Sequence, residues 1–342
     1  VGFAQVIGQP RVVGRLTNAV VADRLAHALM FVGPTGVGRR TTALALAGRL
    51  LCPTPRGADG CGDCQDCRLV RSGSHPDLIE LWPTVKLASA GDDPRVFTLR
   101  DHQSVNHHLV NVKDPALARE FPGVRQIRQV QIQELIRRLG FRTIRGGRRL
   151  VIVNQAEWLG IEAANAFLKT LEEPPSGTSF VLTVPDSGRV PETIRSRCQI
   201  VAFALVPDEV VAAQVAARLG LGPEEAGLVA RLAGGSLGRA LDTDRDRLAE
   251  LNRDVDQALN LPRRERFELS QRLAADRETA RMFLNALAER HRDLALARQG
   301  RARLKAVAGF EAVVAARRDI ERQANIQLVL DGLLISMERP GS

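Results

Sequence analysis

Over roughly the first two hundred positions, short apolar runs alternate with segments whose apolar residues recur every three or four positions. Ala28–Val32, Leu78–Leu81, Leu150–Val153 and Phe180–Thr183 have strand length and read as strands buried on both faces. Segments with helical spacing lie between them, at Arg11–Ala22, Thr41–Leu51, Arg128–Leu139 and Ile161–Leu171. This alternation predicts an α/β fold, a parallel sheet covered on both faces. Residues 84–123 break the rhythm. Asp92–Pro94, His102, His107, His108 and Pro122 are scattered through polar sequence there, which predicts an inserted solvated loop or hairpin. A second metal site is the other reading of the three histidines, but they lack a clear ligand spacing.

After about Ala204 the strands stop. Pro207–Leu219, Pro223–Leu232 and Leu237–Leu241 read as a small helical unit interrupted by Gly234-Gly235, and helix resumes from Arg247 with breaks at Leu261-Pro262 and Gly300. The last helix carries Ile326, Val329, Leu330, Leu333, Leu334 and Met337 on one stripe, with Asp331 and Glu338 off it. Such a stripe is internal core or, alternatively, a subunit interface. A chain of 342 residues suggests two or three domains, and 44% apolar content is enough for ordinary cores. No apolar run approaches the ~20 residues of a membrane helix, and no charged-then-apolar leader is evident, so a cytoplasmic protein with no membrane partner is expected. The net charge of +9 points toward an anionic partner such as nucleic acid. Only four of the 48 basic residues are lysines, however, and genome base composition produces the same bias toward arginine.

Two stretches carry candidate chemistry. Cys52, Cys61, Cys64 and Cys67 follow a C-x8-C-x2-C-x2-C spacing that brings four thiolates within reach of one tetrahedral Zn²⁺. A disulfide pair is the alternative, and it conflicts with a reducing compartment. His75 is a competing ligand or, more simply, the opening of the strand at Asp77–Leu81 in Ser74-His-Pro-Asp77. The second stretch is Gly33-Pro-Thr-Gly-Val-Gly38-Arg39-Arg40, which keeps the glycines of a phosphate-binding loop. It carries arginines where such loops have a lysine and a metal-binding hydroxyl. The run Leu150–Val153 ends in the neutral amides Asn154-Gln155, where an ATPase would place carboxylates for metal and water. Two other readings of the loop remain. One is a plain strand-to-helix turn, and the other is a slipped register that uses Thr41 and Thr42.

Together, Gly33–Gly38, the four cysteines, Ala163-Ala-Asn-Ala-Phe-Leu-Lys-Thr-Leu-Glu-Glu-Pro-Pro175, Ser196-Arg197-Cys198 and the final Asn325–Asp331 helix resemble the bacterial DNA polymerase III clamp-loader subunits. The likeness covers nearly the whole chain outside 84–123. Within that family, the altered loop and Ser74-His-Pro-Asp77 are similar to the delta-prime branch rather than the gamma/tau motors. The resemblance implies an AAA+ P-loop parallel-sheet domain over residues 1–205, with a zinc module at 52–67 and the insertion at 84–123. A helical lid over 206–246 and an all-α collar over 247–342 would follow, the collar joining five subunits into an open ring.

That ring would open a sliding clamp and place it on primed DNA. The implied function is a non-catalytic subunit whose Arg197, beside Ser196, acts as an arginine finger in trans on a neighbouring ATPase subunit. Zinc would be structural on Cys52, Cys61, Cys64 and Cys67. Gly33, Gly36, Gly38 and Arg39 would hold ATP or ADP weakly or not at all. The lid arginine that senses nucleotide in motor subunits falls at Gly238, with Arg239 one place late, and the polar end of Phe180–Thr183 is blurred by Val184-Pro185. The implied partners are the gamma/tau and delta subunits, reached through the collar, together with the clamp and primed DNA. Two other functions stay in play: a gamma/tau-like ATPase with an atypical site, and a zinc protein that binds DNA directly.

Overall fold

The computed structural model describes residues 2–113, 120–121, 123–145, 147–242, 245–262, 265–322 and 324–337. They form two compact units, Val1–Pro207 and Asp208–Ser342. The first is built on a five-stranded, all-parallel sheet of β1 (Ala28–Val32), β2 (Leu78–Leu81), β6 (Arg149–Val153), β7 (Thr178–Val184) and β8 (Gln199–Ala202). The strand order is β2-β6-β7-β1-β8.

Side-chain alternation along each strand supplies two cores. Leu29, Phe31, Ile152 and Val181 face one side, where α1 (Pro10–Val21) and α2 (Arg39–Leu50) bring Val12, Leu16, Leu46 and Leu50. Met30, Val151, Phe180 and Leu182 face the other, against Ile132 and Leu135 of α4 (Gln129–Leu139) and Phe167 and Leu171 of α5 (Ile161–Glu172). Pro10 stands at the first position of α1, where its missing N–H costs nothing. Between the strands and the helices' inner faces almost every apolar residue is withdrawn from water, so the loops at the strand ends are rigidly placed.

Residues 84–123 hold more structure than a loop or hairpin. β3 (Thr84–Leu87), β4 (Val96–Arg100) and β5 (Asn106–Asn111) make an antiparallel sheet in the order β3-β5-β4. Leu109 and Val110 are its buried residues on β5, flanked by the polar Asn106, His107, His108 and Asn111, which is why the strand is hard to see in the sequence. Pro122 lies outside the described residues.

The second unit is helical. Its helices are α7 (Asp208–Leu219), α8 (Pro223–Ala233), α9 (Leu237–Leu241), α10 (Arg245–Asn260), α11 (Arg266–Ala274), α12 (Arg277–Ala297), α13 (Gly300–Glu321) and α14 (Ile326–Ser336). Leu330, Leu333, Leu334 and Met337 of the terminal stripe are buried in its core, with Ile326 and Val329 packed against them. Asp331 is half-buried and accepts from Gln327 and Ser270; Glu338 lies outside the described residues. Arg266 is 1% exposed. Its guanidinium donates to the carbonyls of Leu261, Leu334 and Met337 at 3.0, 2.8 and 2.6 Å, which closes the C-terminal end of α14.

Candidate functional site

The glycine loop joins β1 to the start of α2. Gly36 and Gly38 take φ of 81° and 96°, values that suit glycine, and a side chain at Gly33 would strike the Phe203 carbonyl oxygen at 2.7 Å. Arg39 and Arg40 open α2. The Thr42 hydroxyl donates to the Gly38 carbonyl at 2.9 Å and is therefore occupied within the helix. Arg39 is half-buried and its Nη1 has no hydrogen-bond partner. Burial lowers the Arg39 pKa, and the Glu157 carboxylate works against that shift; burial raises the pKa of Glu157 in turn.

Arg40 is turned to the sheet edge. Its Nε and Nη2 grip both oxygens of Glu80 on β2 at 2.8 Å, and its guanidinium lies 5.4 Å from the centre of the Trp82 ring. The same Glu80 accepts from Asn154 Nδ2 at 3.2 Å, at the end of β6. Arg40 and Asn154 are thus both tied to one carboxylate. Gln155 adopts a left-handed φ of 53°, and its N–H donates to Thr183 Oγ1 at 3.1 Å. Thr183 is buried near the end of β7, just before Val184-Pro185. Glu80 was not evident from the sequence. Its one signal was a carboxylate inside an apolar strand.

The four cysteine sulfurs lie within 4.8 Å of one another, and Cys52–Cys64 and Cys61–Cys67 are 3.9 Å apart. Sulfurs placed about 2.3 Å from a tetrahedral Zn²⁺ would be separated by about 3.8 Å, so the arrangement fits the ion. All four are free thiols and no disulfide joins them. Backbone N–H groups of Cys61, Cys64 and Cys67 each donate to the sulfur of the preceding ligand at 3.3 Å, stabilising thiolate. Cys64 is also the N-cap of α3 (Gln65–Ser72).

His75 is not a fifth ligand. Its Nδ1 accepts from the Asp77 N–H at 3.1 Å, which puts the ring proton on Nε2, 3.3 Å from Asp66 Oδ1. Asp66 also receives Arg145 Nη1 at 2.9 Å. The fully buried Asp77 accepts the N–H groups of Ile144 and Arg145 at 3.0 and 2.8 Å. The segment Ser74–Asp77 therefore links the cysteine module to the loop before β6. The histidines of the insertion stay apart. His107 meets Asp101, His108 meets Thr98, and His102 meets Gln133. Among the described residues the only cluster suited to a metal is the cysteine set.

Arg197 follows the short helix α6 (Glu192–Arg195) and is partly exposed. Its Nε donates to Glu172 Oε1 at 2.7 Å and its Nη1 to the Thr193 carbonyl at 2.7 Å. The Ser196 hydroxyl donates to the Thr193 carbonyl at 3.3 Å, whereas Cys198 is buried and packs into the core, where burial pushes its thiol up to about 12. In the second unit Arg239 donates to the Ala233 carbonyl at 2.5 Å.

This strand order, with the glycine loop following β1 beside the edge strand β8, defines an α/β core of the AAA+ P-loop class. Residues 8–207 match a family model described as "DNA polymerase III, delta subunit", and the chain belongs to this clamp-loader family, in its delta-prime branch. It is 32% identical to DNA polymerase III subunit delta' of Bacillus subtilis over 195 residues, 57% of this chain and 47% of that protein. With subunit delta' of Pseudomonas aeruginosa it shares 35% over 173 residues, 51% of this chain and 42% of that one. Subunit tau of Salmonella typhimurium is 31% identical over 196 residues, 57% of this chain and 24% of tau. The matched stretch spans about half or less of the length of these relatives. Among the described residues no helix is long and apolar enough to cross a membrane.

Proposed function

We propose that this chain is a non-catalytic, delta-prime-like subunit of the DNA polymerase III clamp loader, with Arg197 reaching the ATP site of a neighbouring subunit in trans. The observation that carries the first half is the convergence of Arg40 and Asn154 on Glu80. A guanidinium held by that carboxylate fills the corner where Mg²⁺ would need a hydroxyl and an acid, and the amide of Gln155 offers no base for water. The glycine cradle is consistent with weak binding of ADP or phosphate through backbone N–H groups. Cys52, Cys61, Cys64 and Cys67 would hold a structural zinc, which supplies cross-linking and no open coordination position.

Arg197 suits the finger role because Glu172 and the Thr193 carbonyl hold a partly exposed guanidinium in a fixed direction. Engagement of a γ-phosphate would exchange Glu172 for the phosphate oxygens. Gamma/tau and delta subunits met through the collar, the sliding clamp and primed DNA are the proposed partners. In a reconstituted loader, Arg197→Ala should assemble normally and lower the DNA- and clamp-stimulated ATPase. Arg197→Lys should rescue it only in part, since an ammonium lacks the two-pronged fork. Wild-type turnover in a properly assembled Arg197→Ala complex would remove the finger role.

The near-equal identity to tau favours a second reading, a gamma/tau-like ATPase with an atypical site. Mg²⁺-dependent turnover by the isolated chain, abolished by changing Arg39, would establish it.

A further inference from the structure

The last turn of α5 and the segment after α6 are joined by one ion pair, Glu172 with Arg197. Glu172 Oε1 accepts from Arg197 Nε at 2.7 Å and from Nη2 as well. The two tethers on this guanidinium differ in origin. The Thr193 carbonyl, 2.7 Å from Nη1, lies four residues back on the same segment and moves with the arginine. Glu172 lies 25 residues away on another helix, so its hold is a bond between elements.

The backbone under Glu172 is fixed. Leu171 is fully buried, and its carbonyl meets the His27 ring at 3.0 Å. The Glu172 side chain beyond it is 47% exposed and that of Arg197 31%, so water reaches the pair and weakens it. Glu172 is also the last residue of α5, where the carbonyl end of a helix repels a carboxylate. Arg197 offsets that repulsion. Because Nε carries a single hydrogen, a phosphate oxygen can bond there only after Glu172 has left.

We propose that Glu172 is the positioning residue of the finger, a latch that parks Arg197 and competes with the γ-phosphate for it. This rests on the finger role proposed for Arg197. Phosphate meets only the released guanidinium, so its apparent hold is reduced by the parked fraction. A partly exposed pair shifts such an equilibrium by up to about fivefold. The latch therefore restrains turnover most where the neighbouring subunit docks loosely.

Steady-state ATPase of reconstituted loaders, each checked for normal assembly, tests the proposal with Glu172→Gln, Arg197→Ala and the double variant. Glu172→Gln keeps the side chain's size and removes its charge. It should raise turnover in the absence of DNA and clamp about two- to fivefold and narrow the stimulation that DNA and clamp give. The gain should vanish in the double variant, whose turnover should match that of Arg197→Ala. Lower turnover in Arg197→Ala with unchanged or lower turnover in Glu172→Gln would overturn the latch and leave the finger. Wild-type turnover in Arg197→Ala would overturn both. A second measurement needs no assembly: in the isolated chain, proton exchange at Arg197 Nε, followed by nitrogen-15 NMR, should quicken up to about fivefold in Glu172→Gln, and an unchanged rate would also overturn the latch.

Discussion

The cysteine module and the glycine loop belong to the same α/β unit, and their polar groups are arranged in opposite ways. In the module four sulfurs converge on a common centre with separations suited to a metal, while backbone N–H groups donate to those of Cys52, Cys61 and Cys64. At the loop Arg40 and Asn154 converge instead on one carboxylate, Glu80, so the polar groups satisfy one another. One site turns its donors toward a place suited to an ion, and the other closes its polar groups on one another. A recognisable motif is therefore not a working site until the directions of its side chains are known.

The largest effect should come from the module. Cys61→Ser should take the bound zinc from about one per chain to none at equal chelator strength, since structural zinc is worth about 10–16 kcal/mol in small modules. The same loss should increase amide exchange at Ile144 and Arg145, whose loop is tied to α3 through Asp66. Metal analysis with hydrogen exchange reads both, and unchanged zinc would break the ligand assignment. At pH 8, iodoacetamide should modify Cys61 of metal-free folded protein first, since backbone N–H groups lower its thiol to about 6, and should spare Cys67 and Cys198, which burial pushes up to about 12. Fast labelling of Cys198 would contradict its place in the core.

Next in size is Asp77→Asn. The buried carboxylate takes two backbone N–H groups from across the sheet edge, and removing its charge should cost about 2–3 kcal/mol in urea unfolding while zinc stays bound. A cost below about 0.5 kcal/mol would mean that the loop is held by other contacts.

Arg40→Thr restores the hydroxyl of an ordinary phosphate loop. Breaking the ion pair with the half-buried Glu80 should cost about 1 kcal/mol or less, yet ATP turnover should stay at background because Asn154 and Gln155 are unchanged. Turnover by this single variant would collapse the contrast between the two sites. The smallest effect belongs to Arg197→Ala, which should shift stability by no more than about 1 kcal/mol because the pair with Glu172 is partly exposed, so any large loss of loader activity would be functional.

Much of this contrast was legible in the chain. Four closely spaced cysteines announce a tetrahedral site, and the apolar runs at Ala28, Leu78, Leu150 and Phe180 lie on strands of the parallel sheet. What was not legible depends on distant residues meeting. Glu80 gains its meaning only when Arg40 and Asn154, 40 and 74 positions away along the chain, reach it. Asp66, His75 and Arg145 form a link that no periodicity describes. The sheet in the insertion was missed because His107 and His108 interrupt the apolar alternation of β5, and the pairing with β3 and β4 supplies what the local pattern lacks. Arg266 looks like one more surface arginine until the carbonyls at the end of α14 are seen around it.

Arg266 also bears on the timing of synthesis. Two of the carbonyls it caps belong to Leu334 and Met337, about seventy positions further along, so its burial cannot be completed until that stretch has been made. At about 5–20 residues per second the gap lasts roughly 4–15 s, during which a guanidinium destined for the interior stays in water and holds the surrounding helices open. The α/β unit needs nothing from that stretch for its own sheet and can close first, leaving the helical unit to lock from its far end.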